Sequence, residues 1–419
     1  MNNKYIILSN DIHMLGGGQI YVYRKVEFVE NNGWEAYVFY YDNPRKSKIY
    51  IETLKRFKDN KVSYLDMPPY LYSKKKQRQI LSMLLSRINY SEGDNIVIES
   101  NTIVASLWGE LLAQMTNGNH LAYILSEAFG SINNDIYEFL YYKYNQNRLF
   151  GTNAHSLNLI FSNSKFKDIE PRFLIAYGGN GIDANYKKFP IDISKYDIKI
   201  GIFGRLDKHF VIPTVRELIK YFEKDLSKTY LLAVIGGTDK TNELKPFIEM
   251  FKKSKNAEFF CTGPIYPVPE NWLKDLDAII ATAGSARVSA SLDVPTISIC
   301  VQNDKPLGIL NYTTSSTRDK GENDYFEFSL EDYLNMIIKD KICLKSEKLR
   351  TTMSSNKNPQ IIYEEFSRQL KLAYIKEEKH NYYSFDTFKF NIVEYIKRRI
   401  FKIYRLRMIW HFIKLKCFK

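Results

Sequence analysis

The chain of 419 residues is too long for one ordinary hydrophobic core and predicts two domains with an appendage. Hydrophobic residues make up 45% and charged residues 26% of it, a globular composition that excludes wholesale disorder. The formal net charge is +13, yet residues 389–419 alone hold ten Lys and Arg against one acid. The excess charge therefore lies mostly at one end, and the body of the chain does not have the charge of a nucleic-acid-binding protein.

The cysteines and the apolar runs indicate a cellular compartment. Cys261, Cys300, Cys343 and Cys417 are far apart and have the spacing of neither a zinc site nor a disulfide framework. The apolar run Tyr5–Leu8 is too short for a signal peptide, and no apolar stretch reaches the ~18 residues of a membrane span. We therefore expect a protein of the reducing cytoplasm.

The first half of the chain alternates short apolar runs with amphipathic stretches, the pattern of a parallel sheet with crossover helices. Lys4–Ser9 predicts the first strand, Gly16-Gly17-Gly18 a turn, and Gln19–Asn31 the helix after it. The further predicted elements are strands at Glu35–Tyr40, Val62–Leu65, Asn95–Glu99 and Leu121–Leu125 and a helix at Ile103–Met115.

A second series of elements begins after Asn180-Gly181-Ile182-Asp183, which predicts a hinge. It comprises strands at Lys199–Phe203, Leu231–Ile235, Ala257–Cys261, Ala278–Ala281 and Thr296–Cys300 and helices at Pro213–Lys224, Leu244–Lys253 and Ser285–Leu292. We expect one domain over residues 1–180 and a second over 181–355. A helix at Pro359–Lys376, within residues 356–384, then packs back across the domains, and residues 385–419 form a basic tail.

Two turns rich in small residues each follow a predicted strand and open a helix. Such turns expose the backbone N–H groups of the first helical turn, where the helix dipole adds a positive field. Gly16-Gly17-Gly18 forms the first turn, and Ala283 to Ser289 forms the second, in which Ser285, Arg287 and Ser289 add hydroxyls and a charge. The second turn fits a diphosphate. The alternative for both is that the glycines only permit tight turns and close packing.

Two cations follow a strand of the second series. In Gly204-Arg205-Leu206-Asp207-Lys208 a guanidinium and an ammonium come at the carboxyl end of the strand, where they could neutralise a phosphate-bearing ligand. The alternative is a surface charge pair of Arg205 or Lys208 with Asp207.

These motifs stand in a recognisable order. Gly16-Gly17-Gly18, Asn180–Asp183, Gly204-Arg205-Leu206, Ile235-Gly236-Gly237, Thr262-Gly263-Pro264 and the turn before Pro295 follow one another along the chain. The order resembles that of GT-B glycosyltransferases, most of all the family 4-like enzymes that assemble capsule, lipopolysaccharide and exopolysaccharide. The resemblance spans roughly residues 4–300.

The resemblance implies an α/β fold of two Rossmann-like domains facing across a cleft, to which this chain adds a helical basic tail. The N-terminal domain would bind the acceptor, through Gly16, Gly17, Gly18 and Gln19. The C-terminal domain would bind a nucleotide-sugar donor, through Gly204, Arg205, Lys208, Gly236, Gly237, Gly263, Gly284, Ser285, Ala286, Arg287 and Ser289. The sequence departs from the retaining enzymes because it lacks the two glutamates that flank their last helix.

A sugar hydroxyl must lose its proton when it attacks, so the acceptor domain should supply a base if the reaction inverts configuration. Asp11, His13 and Glu127 are the candidates, because each follows a predicted strand. The alternative for each is a helix cap or a hydrogen bond within a loop. Asp275-Leu276-Asp277 has the spacing of a metal-binding pair, but it precedes a strand and so lies at the wrong edge of the sheet. We predict no metal and no cofactor, since the glycine turns also lack the pattern of a nicotinamide site.

The tail has a helical repeat of apolar residues. This stripe comprises Ile392, Ile396, Ile400, Ile403, Leu406, Trp410 and Ile413, and Lys397, Arg398, Arg399, Lys402 and Arg405 fall largely outside it. A basic amphipathic helix of this kind suits an anionic membrane surface. The alternatives are a helix packed on the body and a disordered basic end.

Together these features predict a cytoplasmic enzyme, peripheral on the inner face of the cell membrane, that transfers a sugar from a nucleotide-sugar to a lipid-linked or other saccharide acceptor in bacterial surface-polysaccharide synthesis. No nucleic-acid partner is expected. One alternative is a non-catalytic GT-B subunit that recruits partners to the membrane. The other is a sugar-nucleotide epimerase on the same double fold.

Overall fold

A computed structural model of the protein describes residues 2–41, 48–125, 133–152, 154–162, 164–166, 181–317, 328–345, 359–374 and 381–385. The chain divides into two compact units. Unit 1 comprises Met1–Gly178 and Gln360–Lys419, and unit 2 comprises Gly179–Pro359. The predicted tail beyond Phe385 and the predicted base Glu127 lie outside the described residues.

The described part of unit 1 contains a parallel sheet with strand order β2-β1-β3-β4-β5. Its strands are β1 (Asn3–Ser9), β2 (Glu35–Tyr40), β3 (Asn95–Ser100), β4 (Asn119–Ile124) and β5 (Leu149–Gly151), and its helices are α1 (Gly17–Asn31), α2 (Lys74–Arg87), α3 (Ile103–Thr116), α4 (Asn134–Asn145) and α5 (Ala154–Phe161). The chain leaves β1 through α1 toward one edge of the sheet and leaves β3 through α3 toward the other. The adjacent carboxyl ends of β1 and β3 are therefore a topological switch point.

The prediction of a strand at Val62–Leu65 is wrong. The structure has a 3₁₀ helix at Ser63–Asp66, between two others at Glu52–Phe57 and Pro69–Leu71. Val62 and Leu65 are both buried, and a spacing of three residues places them on one side of a 3₁₀ turn. A four-residue apolar run does not distinguish this arrangement from a strand.

Unit 2 contains, within its described residues, a sheet with strand order β13-β12-β11-β7-β8-β9 and a short pairing of β6 with β10. The strands are β6 (Ile182–Asp183), β7 (Ile198–Gly204), β8 (Tyr230–Gly236), β9 (Ala257–Cys261), β10 (Val268–Pro269), β11 (Ala278–Ala281), β12 (Thr296–Ile299) and β13 (Pro306–Ile309). The helices are α6 (Val211–Glu223), α7 (Thr241–Phe251), α8 (Glu270–Lys274), α9 (Ala283–Ser291), α10 (Leu330–Ile338) and α11 (Ile342–Lys345). Except for β13, which is antiparallel, neighbouring strands run parallel.

Both faces of the unit 2 sheet are buried, as its continuous apolar runs require. Successive strand residues alternate between two hydrophobic clusters. Leu232 and Val234 pack with α6, α7 and α10, whereas Leu231 and Ala233 pack with α8 and α9. The helices after β7 and β11 thus begin on opposite faces of the sheet, at the same carboxyl edge.

The last described segments of the chain pack on unit 1. Helix α12 (Pro359–Tyr374) contributes Gln369, whose Oε1 accepts a hydrogen bond from the buried Lys25 Nζ at 3.2 Å. Further on, the backbone N–H of Tyr383 donates to Glu110 Oε1 at 3.0 Å, and Phe385 is buried against Phe139. Among the described residues, no helix is both long and apolar enough to cross a membrane.

Candidate functional site

The switch point of unit 2 lies between β7 and β11. The chain leaves β7 through α6 toward β8, and it leaves β11 through α9 toward β12, on the other side. Open α/β sheets bind their ligands in the crevice outside the carboxyl ends of the strands at such a point. Gly204 ends β7, and Thr282 follows β11, so these two residues mark the crevice.

Glycines at the carboxyl ends of β7 and β8 allow their backbones to approach closely. The N–H of Gly237 donates to the carbonyl oxygen of Gly204 at 2.7 Å, and a Cβ on Gly236 would lie 3.0 Å from that same oxygen. Gly204, Gly236, Gly237 and Gly263 all have positive φ angles, between +71° and +144°. The sequence therefore places glycine where other residues would be strained or would clash, and the floor of the crevice is bare backbone.

Lys208 is the cation that turns toward this crevice. Its half-buried ammonium donates to Thr282 Oγ1 at 3.1 Å, and no carboxylate of the described residues lies within 4.0 Å of it. Burial, and then the charge of Arg205, lowers the pKa of Lys208 below its ordinary value, although Asp207 opposes this shift. An ammonium has three N–H donors, so two remain for a ligand.

The N-terminus of α9 lies beside Lys208. A Cβ on Gly204 would be 3.5 Å from Lys208 Nζ and 3.9 Å from Ser285 Oγ, which shows that these groups converge. The N–H of Ala283 already donates to the carbonyl oxygen of Thr317, whereas the N–H groups of Gly284 and Ser285 donate to no described residue. The space above Gly284 is open, because a Cβ there would meet nothing within 4 Å. An ammonium, a hydroxyl and two helix-end amides thus lie together at the carboxyl ends of β7 and β11, an arrangement that suits an anion.

The remaining residues predicted to bind the donor have other surroundings. Arg205 is exposed, and its Nε pairs with Asp207 Oδ1 at 3.0 Å, the surface pair that was the alternative for this motif. Ser289 is fully buried, where its hydroxyl donates to the Ser285 carbonyl oxygen at 3.0 Å and receives the Thr296 hydroxyl at 2.9 Å. The side chain of Ala286 is buried as well, and Arg287 is half-buried. The donor contacts predicted for these four residues stay predictions.

The residues predicted to bind the acceptor lie at the carboxyl edge of β1 in unit 1. The Gln19 side chain donates to the carbonyl oxygen of Asp11 at 2.8 Å, and Asp11 Oδ1 accepts the N–H of His13 at 2.7 Å. The His13 ring meets the Tyr40 ring edge-on at 5.1 Å. At the start of α1, Gly17 is exposed, with open space around its Cβ direction. These contacts hold the loop in a fixed shape, and the catalytic roles of Asp11 and His13 stay predictions.

Asp275 and Asp277 lie at the amino edge of the unit 2 sheet, away from the crevice. Asp277 Oδ2 accepts the backbone N–H of Lys199, at the start of β7, at 2.7 Å. The part of the chain that the structure describes contains no group of three His, Cys, Asp or Glu side chains that could hold a metal ion. Whether the protein needs a metal stays a prediction.

Two polar residues at the switch points, Thr282 and Asn101, were not among the residues predicted from the sequence. Thr282 anchors Lys208, and the only signal for it was its place between a strand and a helix-opening turn. Asn101 follows β3 at the switch point of unit 1, and its surroundings became visible only in the fold.

No protein-family model matches the chain, and no curated protein matches its sequence. Solved structures do resemble it. HepE from Anabaena in complex with UDP and glucose gives a TM-score of 0.54 at 13% identity, over 88% of this chain and 100% of HepE. HepE in complex with UDP gives 0.55 at 13% identity, over 88% of this chain and 99% of HepE. MnaA from S. aureus with UDP gives 0.50 at 13% identity, over 92% of this chain and 100% of MnaA.

At this level of identity the likeness shows the fold alone. The predicted α/β class, with two Rossmann-like units as in GT-B proteins, is confirmed.

Proposed function

We propose that this chain is a glycosyltransferase that takes a sugar from a nucleoside-diphosphate sugar bound at the switch point of unit 2. The observation that carries the proposal is Lys208, a half-buried ammonium with no carboxylate of the described residues within 4.0 Å, held by Thr282 beside the open N-terminus of α9. Burying a charge without an opposite charge is costly, which favours an anionic ligand as its partner. HepE and MnaA, which share the fold, were crystallised with UDP, and this supports the same class of ligand.

The geometry suits stabilisation of a leaving group. When the bond between the anomeric carbon and the diphosphate oxygen breaks, negative charge develops on the diphosphate. Lys208 and the N–H groups of Gly284 and Ser285 are positioned to stabilise that charge. The acceptor hydroxyl forms the new bond to the anomeric carbon and gives its proton to a base, for which Asp11, His13 and Glu127 are the candidates from the sequence.

The acceptor and the location are finer parts of the proposal. We infer a saccharide acceptor, lipid-linked, in bacterial surface-polysaccharide synthesis, and an enzyme that associates with the inner face of the cell membrane. The order of motifs along residues 4–300 and the basic amphipathic pattern after Phe385 support these inferences.

A nucleotide panel tests the donor site. UDP, GDP, CDP and ADP would each be added to the protein during thermal unfolding, because a ligand that binds only the folded state at 100 times its Kd stabilises it by about 2.7 kcal/mol. We expect at least one nucleoside diphosphate to raise the Tm. If none does, and no nucleotide-sugar is turned over, the chain is a non-catalytic relative and the proposal fails.

Product analysis then identifies the reaction. A glycosyltransferase releases the nucleoside diphosphate, to water slowly and to an acceptor faster, and we expect this release to be unchanged in EDTA. An epimerase would convert the nucleotide-sugar without any acceptor and leave the new sugar attached to its nucleotide. That product would replace the proposal with the second alternative.

A further inference from the structure

Asn101, directly after β3 in unit 1, has a buried side-chain amide. The residue is 1% exposed, and neither Oδ1 nor Nδ2 hydrogen-bonds to any group of the described residues. Buried amides are nearly always paired, because an unpaired one loses its bonds to water without replacement. The exception at Asn101 therefore points to a partner outside the described residues.

The register of the sheet shows where the Asn101 side chain points. Its N–H donates to the carbonyl oxygen of Leu8 at 2.9 Å, which continues the ladder in which Leu8 pairs with Ser100. Side chains two apart in a strand share a face, so Asn101 projects on the same side as Glu99. Glu99 Oε2 lies 3.5 Å from Lys25 Nζ on α1, and this side is thus the one that α1 covers.

Asn101 is level with the first turns of α1. It lies two residues, or about 6.6 Å, beyond Glu99 along the strand. A helix covers that distance in roughly four residues, and α1 runs antiparallel to the strand. Four residues before Lys25 is Tyr21, one turn after Gly17. Leu125 connects the two segments. A Cβ on Gly18 of α1 would be 3.9 Å from the Leu125 side chain, and the Leu125 N–H donates to the Asn101 carbonyl oxygen at 3.5 Å.

Other polar groups belong to the β1–α1 loop, which leaves the carboxyl end of β1, the strand that neighbours β3. Within the described part of the chain, His13 Nδ1 is buried without a hydrogen-bond partner, as the Asn101 amide is. The space around Gly17 at the start of α1 is open. Asp11, which is buried, adds a carboxylate. The set offers donors and acceptors together and contains a negative charge, which suits a neutral hydroxylated molecule better than a phosphate.

We propose that Asn101, with His13 and the first amides of α1, binds the hydroxyl groups of a saccharide at the switch point of unit 1. The inference rests on the proposed function, because this saccharide is the acceptor end of the transfer. Asn101 is a specificity-determining residue here, since an amide donates to one hydroxyl and accepts from another. A site built to bond such hydroxyls rejects ligands that lack them.

The test replaces Asn101 with Leu, which has the same branching and the same number of side-chain heavy atoms but no polar atoms. The matched control is Asn95→Ala, at the amino end of the same strand, where the side chain donates to Asn3 Oδ1 at 2.8 Å. Saturation-transfer NMR would measure binding of the methyl glycosides of glucose, galactose, mannose and N-acetylglucosamine. We expect the wild type and Asn95→Ala to bind at least one of them, and Asn101→Leu to bind it at least tenfold more weakly.

Two further readouts separate a binding role from a structural one. We expect Asn101→Leu to keep the wild-type Tm or to exceed it, because the lost amide makes no hydrogen bond to any described residue. UDP binding, which the proposed function places at the switch point of unit 2, should also be unchanged. A second variant, Asn101→Asp, keeps the shape but only accepts hydrogen bonds, and it should bind the glycosides more weakly than the wild type.

Three results would overturn the inference: no glycoside binds the wild type, Asn101→Leu binds as well as the wild type, or both Asn101 variants unfold at a lower temperature than Asn95→Ala. These outcomes are distinct from failure of the donor site. A protein that binds glycosides through Asn101 but binds no nucleotide would refute the proposed function alone, and one that binds UDP but no glycoside would refute this inference alone.

Discussion

The most informative single change is Lys208→Met. Methionine has about the length of the lysine stem, so it keeps the packing and removes only the ammonium. In the unliganded protein that ammonium is half-buried, donates to the Thr282 hydroxyl at 3.1 Å, and lies near a second cation, Arg205. Its removal therefore should leave the free energy of unfolding unchanged or raise it.

The affinity for a nucleotide, by contrast, should fall in Lys208→Met. A hydrogen bond from a charged group contributes about 1.5–3 kcal/mol. Since each 1.4 kcal/mol is a factor of ten in Kd, Lys208→Met should weaken UDP binding by roughly 10- to 150-fold. Arg205→Met should have a smaller effect, because Arg205 is exposed and already paired with Asp207.

Isothermal titration with UDP would measure the Kd, and thermal unfolding without UDP would measure the stability, both at the same ionic strength. Lys253→Met is the matched control. Lys253 is exposed between α7 and β9, so this variant loses the same charge at the opposite edge of the same sheet. A Lys208→Met protein that binds UDP within twofold of the wild type would refute the anion site, as would an equal loss in the Lys253 variant.

Three other perturbations test separate parts of the molecule. Gly284→Ala places a methyl in open space at the start of α9, so it should raise stability by about 0.4–1 kcal/mol yet weaken UDP binding; equal affinity by titration would show that no ligand approaches there. Burial, and then Lys143, lowers the pKa of His120 from 6.5 to about 4, although Glu110 opposes the shift. At pH 5 the His120 ring is therefore protonated in the unfolded chain but neutral in the folded one. The free energy of unfolding, measured with urea, should fall by about 2 kcal/mol from pH 7 to pH 5. A flat profile, or an equal fall in His120→Asn, would contradict this. Truncation after Phe385, which keeps that buried ring, should release the protein from anionic vesicles without lowering its Tm; continued sedimentation with the vesicles would remove the membrane role from the tail.

The sequence determined the features that depend on neighbours in the chain. Buried parallel strands need continuous apolar runs, so β1, β3, β7 and β11 could be located to within two residues. Positive φ angles need glycine, so the turn at Gly204 could be located as well. Together these signals were enough for the fold class and for the positions of the helix-opening turns.

Only the tertiary structure decided which side chains meet. Arg205 and Lys208 follow the same strand and carry the same charge, and nothing local separates the exposed cation from the one that contacts Thr282, 74 residues away. The same holds for Asn101, whose isolation results from the pairing of β1 with β3 and from the helix that covers their shared face. Hydrophobic periodicity specifies which face of an element is buried, but the partner across that face is set by strand order, which arises only when the whole sheet has formed.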